Sequence, residues 1–260
     1  MTGRVAAFPM YNRPELRPTF DALWEGTRDG LRAAGVDGVP DQLTVVETGL
    51  LEFWKRPDLV LSQTCGFPYR HFLKDCVVLV GTPDFGLEEC PPGFYRSALI
   101  VRRDDKRNGL AEFEGATIAV NDLHSQSGHA APLLAAQQVG LRFGAIRLSG
   151  AHVASARMVA EGKADIAGLD AVSWRHMQRF DSWTSGLRVI SWTSPTPGLP
   201  FITAFAPLAA TITSCLSEAL RMLPRALRDD LTMFDLVAVN RWDYLAVPDP
   251  EASDKALFRS

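Results

Sequence analysis

Apolar and polar positions alternate along this chain with two periods, and the switches between them outline its elements. Arg4–Phe8 reads as a strand ending at Pro9-Met10-Tyr11-Asn12. Leu16, Phe20, Leu23, Thr27 and Leu31 then fall three and four apart, which predicts a helix with Pro14 in its first turn and Gly35 at its end. Leu43–Glu47 predicts a second strand, Leu50–Trp54 a short helix, and Asp58–Gln63 a third strand entering a helical start at Thr64-Cys65-Gly66. The near-continuous apolar run Asp75–Gly81 predicts a strand covered on both faces, followed by a Pro- and Gly-rich loop over Thr82–Gly93 and a longer strand over Tyr95–Val101. From Thr117 the alternation becomes regular. A strand at Thr117–Val120 is followed by a helix at 129–139, a strand at Ile146–Ser149 and a helix at 153–161. Strand Asp165–Leu169, helix 171–179 and strand Leu187–Trp192 continue it, until Pro195, Pro197 and Pro200 break the pattern and a mainly helical tail begins near Leu208.

Strands and helices alternating at this length predict an α/β protein with mainly parallel sheets and right-handed crossovers. Two such runs, joined by the long strand near 95–102 and the proline-marked return near 193–200, predict two lobes with two hinge crossings. Lobe 1 takes residues 1–97 and 196–260, and lobe 2 takes 98–195. Ligands of open α/β sheets bind beyond the carboxyl ends of the strands, so the loops after strands are expected to face a shared cleft.

Composition narrows the functional classes. With 260 residues, 47% hydrophobic, 22% charged and a net charge of −3, the chain has the make-up of a globular protein with no polyanion-binding excess of base. The densest basic run, Arg102-Arg103-Asp104-Asp105-Lys106-Arg107, is half neutralised by its own acids and is expected to be a solvated loop. No window of about 20 apolar residues spans a membrane. The opening Met1–Pro9 leads straight into a strand, without the basic and apolar regions of a secretion signal, which points to a cytoplasmic chain. Cys65, Cys76, Cys90 and Cys215 have no metal-type spacing; reduced thiols are expected, with Cys76 and Cys90 able to close a loop in an oxidising compartment. His124 and His129 flank the polar turn without a metal-site signature, so neither a metal nor another cofactor is expected.

That turn, Ser125-Gln126-Ser127-Gly128, is the strongest chemical feature. It stands where a helix begins, and the first N–H groups of a helix lack internal partners and carry the positive end of its dipole. Two hydroxyls and a glycine there suit a phosphate-like or carboxylate group, although a simple N-cap serine is the commoner outcome. Other strand ends supply Tyr11, Thr64, His152, Asp170 and Thr193-Ser194, mostly small neutral groups. Asp170 either caps the next helix or enters the cleft, where an anion beside it would require a shared proton and so favour a P–OH or ammonium group. Trp24 and Trp54 lie on helical stripes as core residues, while Tyr11, Tyr69, Tyr95, Trp174 and Trp192 lie near strand ends.

Ser149–Asp170, preceded by Ser125–Gly128 and followed by Ser194-Pro-Thr-Pro-Gly-Leu-Pro-Phe201, resembles the phosphate/phosphonate-binding (PhnD-like) solute-binding proteins of ABC importers. The similarity runs from Tyr11 to about Phe205 and is strongest over Thr117–Phe201. It implies a two-lobed type II periplasmic-binding-protein fold that closes on its ligand, a periplasmic location and a membrane permease as partner. By the same resemblance, Ser125, Gln126, Ser127 and Gly128 hold the oxyanion, His152 adds a contact, and Tyr11, Thr64 and Tyr95 stand at first-lobe contact positions. Two positions depart from aminoalkylphosphonate binders: Val172 and Pro195 replace acidic residues, which disfavours an ammonium-bearing ligand. The expected ligand is phosphate, phosphite or a simple phosphonate, bound by a monomer or dimer that is a carrier rather than an enzyme. Two alternatives remain open: a cytoplasmic enzyme of the menaquinone-pathway type with His152 as general base, and a cytoplasmic metabolite sensor.

Overall fold

The structure is a computed structural model that describes residues 3–46 and 49–251. In chain order its regular elements begin with β1 (Val5–Ala7), α1 (Arg17–Ala33), α2 (Leu50–Trp54), β2 (Leu59–Gln63) and α3 (Gly66–Pro68), which widens into a π turn over Tyr69–Leu73. Next come β3 (Val78–Asp84), β4 (Phe94–Tyr95), β5 (Ser97–Arg102) and β6 (Thr117–Val120). A second π turn over Gln126–Ala130 opens α4 (Ala131–Gln138), followed by β7 (Ala145–Leu148), α5 (His152–Ala160), β8 (Ile166–Asp170), α6 (Ala171–Phe180) and β9 (Leu187–Trp192). The chain ends with β10 (Thr196–Pro197), β11 (Phe201–Thr203), α7 (Ala209–Met222), α8 (Arg225–Leu231), β12 (Asp235–Val237) and α9 (Arg241–Leu245).

These elements form two compact units. Unit 1 comprises Met1–Phe94 and Pro197–Ala246, and unit 2 comprises Tyr95–Thr196 with the segment from Val247. The Val247 segment, assigned to lobe 1 on sequence, thus groups with unit 2, where the Glu251 N–H donates to Gln137 Oε1. No helix among the described residues is long and apolar enough to cross a membrane.

Unit 1 is built on a sheet of order β1-β2-β11-β3-β12. β1 pairs with β2 in parallel, and β11 runs antiparallel to both β2 and β3, so β1, β2 and β3 share one direction. The predicted strand at Leu43–Glu47 is not formed: Glu47 lies outside the described residues, and Leu43–Val46 makes one strand-like bond, from Thr44 N–H to Ala6 O at 2.7 Å. The apolar stripe of α1 is buried as its spacing requires, and Gly26 and Gly30 let α7 approach until Ala219 and Cys215 touch it. Tyr244 on α9 is buried in the same unit, sharing a 2.6 Å hydrogen bond with Thr82 Oγ1 and donating to Gly198 O. All four cysteines are free thiols.

Unit 2 has the order β7-β6-β8-β5-β9. β6 is parallel to β7 and β8, whereas β5 enters antiparallel between β8 and β9. Four strands therefore point one way and the fifth, the one that starts the unit, points back. Period-two alternation divides the core between the two faces. Leu99, Val101, Ile118, Val120 and Ile166 pack beneath α4 with Leu133 and Phe113, and Ala98, Ile100, Ala119, Ala167 and Leu169 pack against Ala156, Val159, Trp174 and Met177 of α5 and α6. Each of the valine, leucine and isoleucine side chains contributes about 1.5–3 kcal/mol on burial.

The charged run before β6 is not a free loop. Arg107 binds Asp105 at 2.6 Å and Asp165 at 3.0 Å and lies 3.9 Å over the Phe113 ring, while the other Asp165 oxygen accepts from the Thr117 N–H. One guanidinium thus clamps the starts of β6 and β8. Hydrogen bonding from Arg107 holds the Asp105 carboxyl at about 2, below its ordinary 3.8, against the opposing effect of desolvation. A depressed carboxylate pKa adds stability that is present above the unfolded value and is lost as pH falls towards the folded one. Asp105→Asn is therefore expected to cost about 1–2 kcal/mol at pH 7, with the gap to the parent closing between pH 4 and about 2; urea midpoints across that range test it.

Candidate functional site

The polar turn after β6 is held by its own atoms. Ser125 has extended backbone geometry, and its hydroxyl accepts the Gly128 N–H at 3.0 Å, so it is the N-cap of the helical run that continues into α4. Ser125, Gln126, Ser127 and Gly128 are all buried. The chain leaving β7 is tied to the same place: Ser149 N–H donates to Val120 O at 2.9 Å and Gly150 N–H to Asn121 O at 3.0 Å. Ser149 Oγ also lies 2.7 Å from Ser155 Oγ, fixing the first turn of α5.

These ties bring together two residues that are 25 positions apart. Ser127 Oγ stands 3.0 Å from His152 Nε2. His152, the first residue of α5, keeps part of its surface accessible, yet burial of the ring pulls its pKa down to about 4, against hydrogen bonding to the Gly168 backbone, which raises it. The imidazole is therefore neutral at pH 7. Its Nδ1 has no hydrogen-bond partner among the described residues, and the same holds for the buried Oδ1 of Asn121. Buried polar atoms without partners are uncommon and mark places where a ligand or water completes the bonding.

Asn121 is the residue that sequence reasoning missed. It directly follows β6, and its amide lies against the Gly128 backbone: a Cβ on residue 128 would come 1.8 Å from Asn121 Oδ1 and 3.0 Å from His152 Cε1. Its place at a strand end is the signal that would have found it. Gly168 on β8 plays a parallel part, since a Cβ there would fall 2.1 Å from Pro132 Cγ and 3.0 Å from Ser127 O. Two glycines thus let the helical turn settle directly onto the strand and onto Asn121.

Asp170 takes the capping role. Its Oδ1 accepts from Val172 N–H at 2.7 Å and Ser173 N–H at 2.9 Å, and the residue is buried at the junction of β8 and α6. That oxygen accepts from both backbone donors at the start of α6. Tyr95 is buried at the start of unit 2. Of the flanking histidines, His124 is exposed beside Asp122, and His129 is largely enclosed, with burial lowering its pKa. Among the described residues no group of three or more His, Cys, Asp or Glu could hold a metal ion.

The remaining candidates belong to unit 1. Thr64, just past β2, is fully buried; its N–H donates to Pro200 O, and its Oγ1 has no partner among the described residues. The neighbouring Gln63 donates to Leu199 O at 3.0 Å and keeps an unpartnered Oε1. Tyr11 has a left-handed backbone, φ 58°, and its ring meets Phe85 edge-on at 5.3 Å. A non-glycine residue in that region is strained and needs support from its surroundings.

A family model described as ABC transporter, phosphonate, periplasmic substrate-binding protein matches residues 72–243. No curated protein matches the sequence. Among solved structures, PhnD1 from Prochlorococcus marinus in complex with methylphosphonate is similar at TM-score 0.72 and 14% identity, covering 93% of this chain and 94% of that one. XAC2383 from Xanthomonas citri, bound to chloride ion, gives 0.70 at 14% identity and 92% of each chain. A binding protein component of an ABC phosphonate transporter from Pseudomonas aeruginosa gives 0.66 at 17% identity, over 94% of this chain and 83% of that one. At such identities these likenesses establish the fold, which is that of the type II periplasmic binding proteins.

Gly128→Ala is expected to lower stability by about 1–3 kcal/mol, because the new methyl group displaces the Asn121 amide. The loss should shrink in the Asn121→Ala background. A double-mutant cycle by chemical denaturation checks this, and additive losses would refute the contact.

Proposed function

Because this chain belongs to the phosphonate periplasmic substrate-binding proteins of ABC transporters, we propose that it captures a small oxyanion at the Ser125–Gly128 turn and hands it to a membrane permease. The family is one of substrate-binding transport proteins, so a small-molecule ligand and a permease partner come with membership. The observation that carries the finer reading is the Ser127–His152 pair at the start of a helical run, 3.0 Å apart and next to two polar atoms without partners.

The chemistry follows from these groups. Ser125 spends its acceptor on Gly128 N–H and keeps its own O–H for a ligand. If neutral His152 donates through Nε2 to Ser127 Oγ, the Ser127 hydroxyl proton is likewise free to meet an anion. The remaining first-turn N–H groups and the helix dipole add to the attraction. Such a cradle works with neutral donors, so affinity depends on short, well-aimed hydrogen bonds and little on salt.

Phosphate, phosphite and methylphosphonate fit this donor set. Val172 stands beside the capped Asp170 and Pro195 lies beyond β9, so neither position offers a carboxylate for an ammonium group. Aminoalkylphosphonates are accordingly expected to bind more weakly than methylphosphonate.

Titration calorimetry and melting curves with the three anions test the proposal. The best ligand should raise the melting temperature through mass action, and Ser127→Ala and His152→Ala should each weaken it by about tenfold or more while leaving the apo fold intact. Absence of any shift at millimolar anion would refute the proposal.

A further inference from the structure

A second feature of unit 1 lies at the opposite end of its sheet from Thr64. The carboxyl end of β2 pairs with the start of β11, Gln63 with Phe201, whereas the start of β3 pairs with its end, Val78 with Thr203. At that far end a cavity of about 570 Å³ opens between the start of β3, the segment after β11 and α9. Its walls include Val77, Leu79, Ala204 and Ala206, and its polar rim holds Tyr69, Lys74, Asp75, Cys76 and Arg241.

Tyr69 is the anchor. The side chain is only 2% exposed, is held edge-on to Tyr244 at 5.2 Å and lines the cavity. Arg241 and Asp75 line the same cavity, and their charges act on this hydroxyl in opposite senses, Arg241 lowering its pKa and Asp75 raising it. Burial is the largest influence and raises its pKa, so it remains a proton donor at neutral pH. A hydroxyl donor at the cavity wall suits a ligand that brings an acceptor.

The surrounding charges are loosely committed. Arg241 meets Asp75 at only 3.9 Å and the Lys74 carbonyl at 3.5 Å, both at the limit of useful interaction. Half-buried Lys74 makes no ion pair with a described residue. Two cations against one carboxylate favour a single negative charge, and Asp75 at the rim penalises a dianion. The apolar wall has no use for an inorganic anion, whereas it would bury a short hydrocarbon body. We propose that unit 1 carries a second small-molecule site, for an organic monocarboxylate with a short apolar body. Tyr69, Lys74 and Arg241 receive its carboxylate, and Leu79, Ala204 and Ala206 cover the rest.

Cys76 supplies a built-in reporter. It is exposed, lines the cavity and rests its thiol on Leu73 O at 3.3 Å, while the other three cysteines are half-buried. In the full chain, benzoate is expected to slow iodoacetamide alkylation of Cys76 at least tenfold in a saturable way, followed residue by residue by mass spectrometry. Alkylation of Cys65, Cys90 and Cys215 should stay within about twofold, since the effect is steric and local. Tyr69→Phe, which keeps the packing, and Arg241→Gln should each raise the benzoate needed by about tenfold, one charge-assisted bond's worth. Circular dichroism confirms that each variant is folded, and Lys74→Gln replaces Arg241→Gln if that variant is not. No protection at about 10 mM benzoate, the weak end of specific binding, would overturn the site. So would equal protection of all four cysteines, unchanged protection in the variants, or methylphosphonate protecting as well as benzoate.

Discussion

Unit 2 depends on a helix beginning directly on top of a strand, with no room for a side chain at the point of closest approach. Gly128 lies against the Asn121 amide, and Gly168 lies under Pro132 and the Ser127 carbonyl. Removing two Cβ atoms lets the first turn descend onto the sheet, and everything polar at this end of the unit is positioned as a result. Ser125 can then close the cap, and Ser127 reaches His152 across the loop that leaves β7. Glycine is usually unfavourable in regular structure because of its entropy. Here the contact geometry outweighs that cost, since any larger residue would push the helix start off the strand end.

The same logic explains why the turn is both buried and polar. Burying hydroxyls and amides without partners costs roughly 1–3 kcal/mol each. Unit 2 offsets part of this by bonding loop to loop: Ser149 to Val120 and Ser155, Gly150 to Asn121, Asp170 to the start of α6. Among the buried atoms left without a partner in the described residues, Asn121 Oδ1 and His152 Nδ1 belong to the residues around Ser127. Unpartnered polar atoms beside a strand end are places where a ligand or water can complete the bonding.

Much of this was legible in the chain because its helices and strands obey local rules. The 3.6-residue stripe of α1 and the apolar strands β6, β8 and β9 stand close to where the pattern put them, since burial and periodicity agree there. Failures occurred where pairing overrode composition. β3 continues through Thr82-Pro83-Asp84, which reads as a loop, because β12 arrives from 150 residues later and pairs Leu236 with Pro83 and Val237 with Thr82. Beyond Gly81 β3 pairs with β12 and no longer with β11, and such a one-sided position tolerates a proline that lacks an N–H. The Leu43–Val46 segment errs the other way: its β-branched residues suit a strand, yet a single bond to Ala6 is all it gains. Arg107 likewise looked solvated until Asp165, 58 residues on, and the Phe113 ring closed round it. In each case the deciding partner is distant in sequence, and no local window contains it.

The candidate site divides along the same line. Ser125 as a cap and Asp170 as a cap follow from local position alone, so both were readable as possibilities and the geometry selects between them. The sequence places Ser127 and His152 at separate strand ends, and their contact needs β6 beside β7 in parallel register, Val120 level with Leu148, before the two loops can meet. Asn121 escaped notice because its importance depends on what it touches: an asparagine after a strand is ordinary turn chemistry until a glycine seven residues on is found pressed against it. Sheet order, then, turns separate polar residues into one cradle. Caps such as Ser125 and Asp170 are settled by neighbours in sequence, whereas the Ser127–His152 contact is settled across strands.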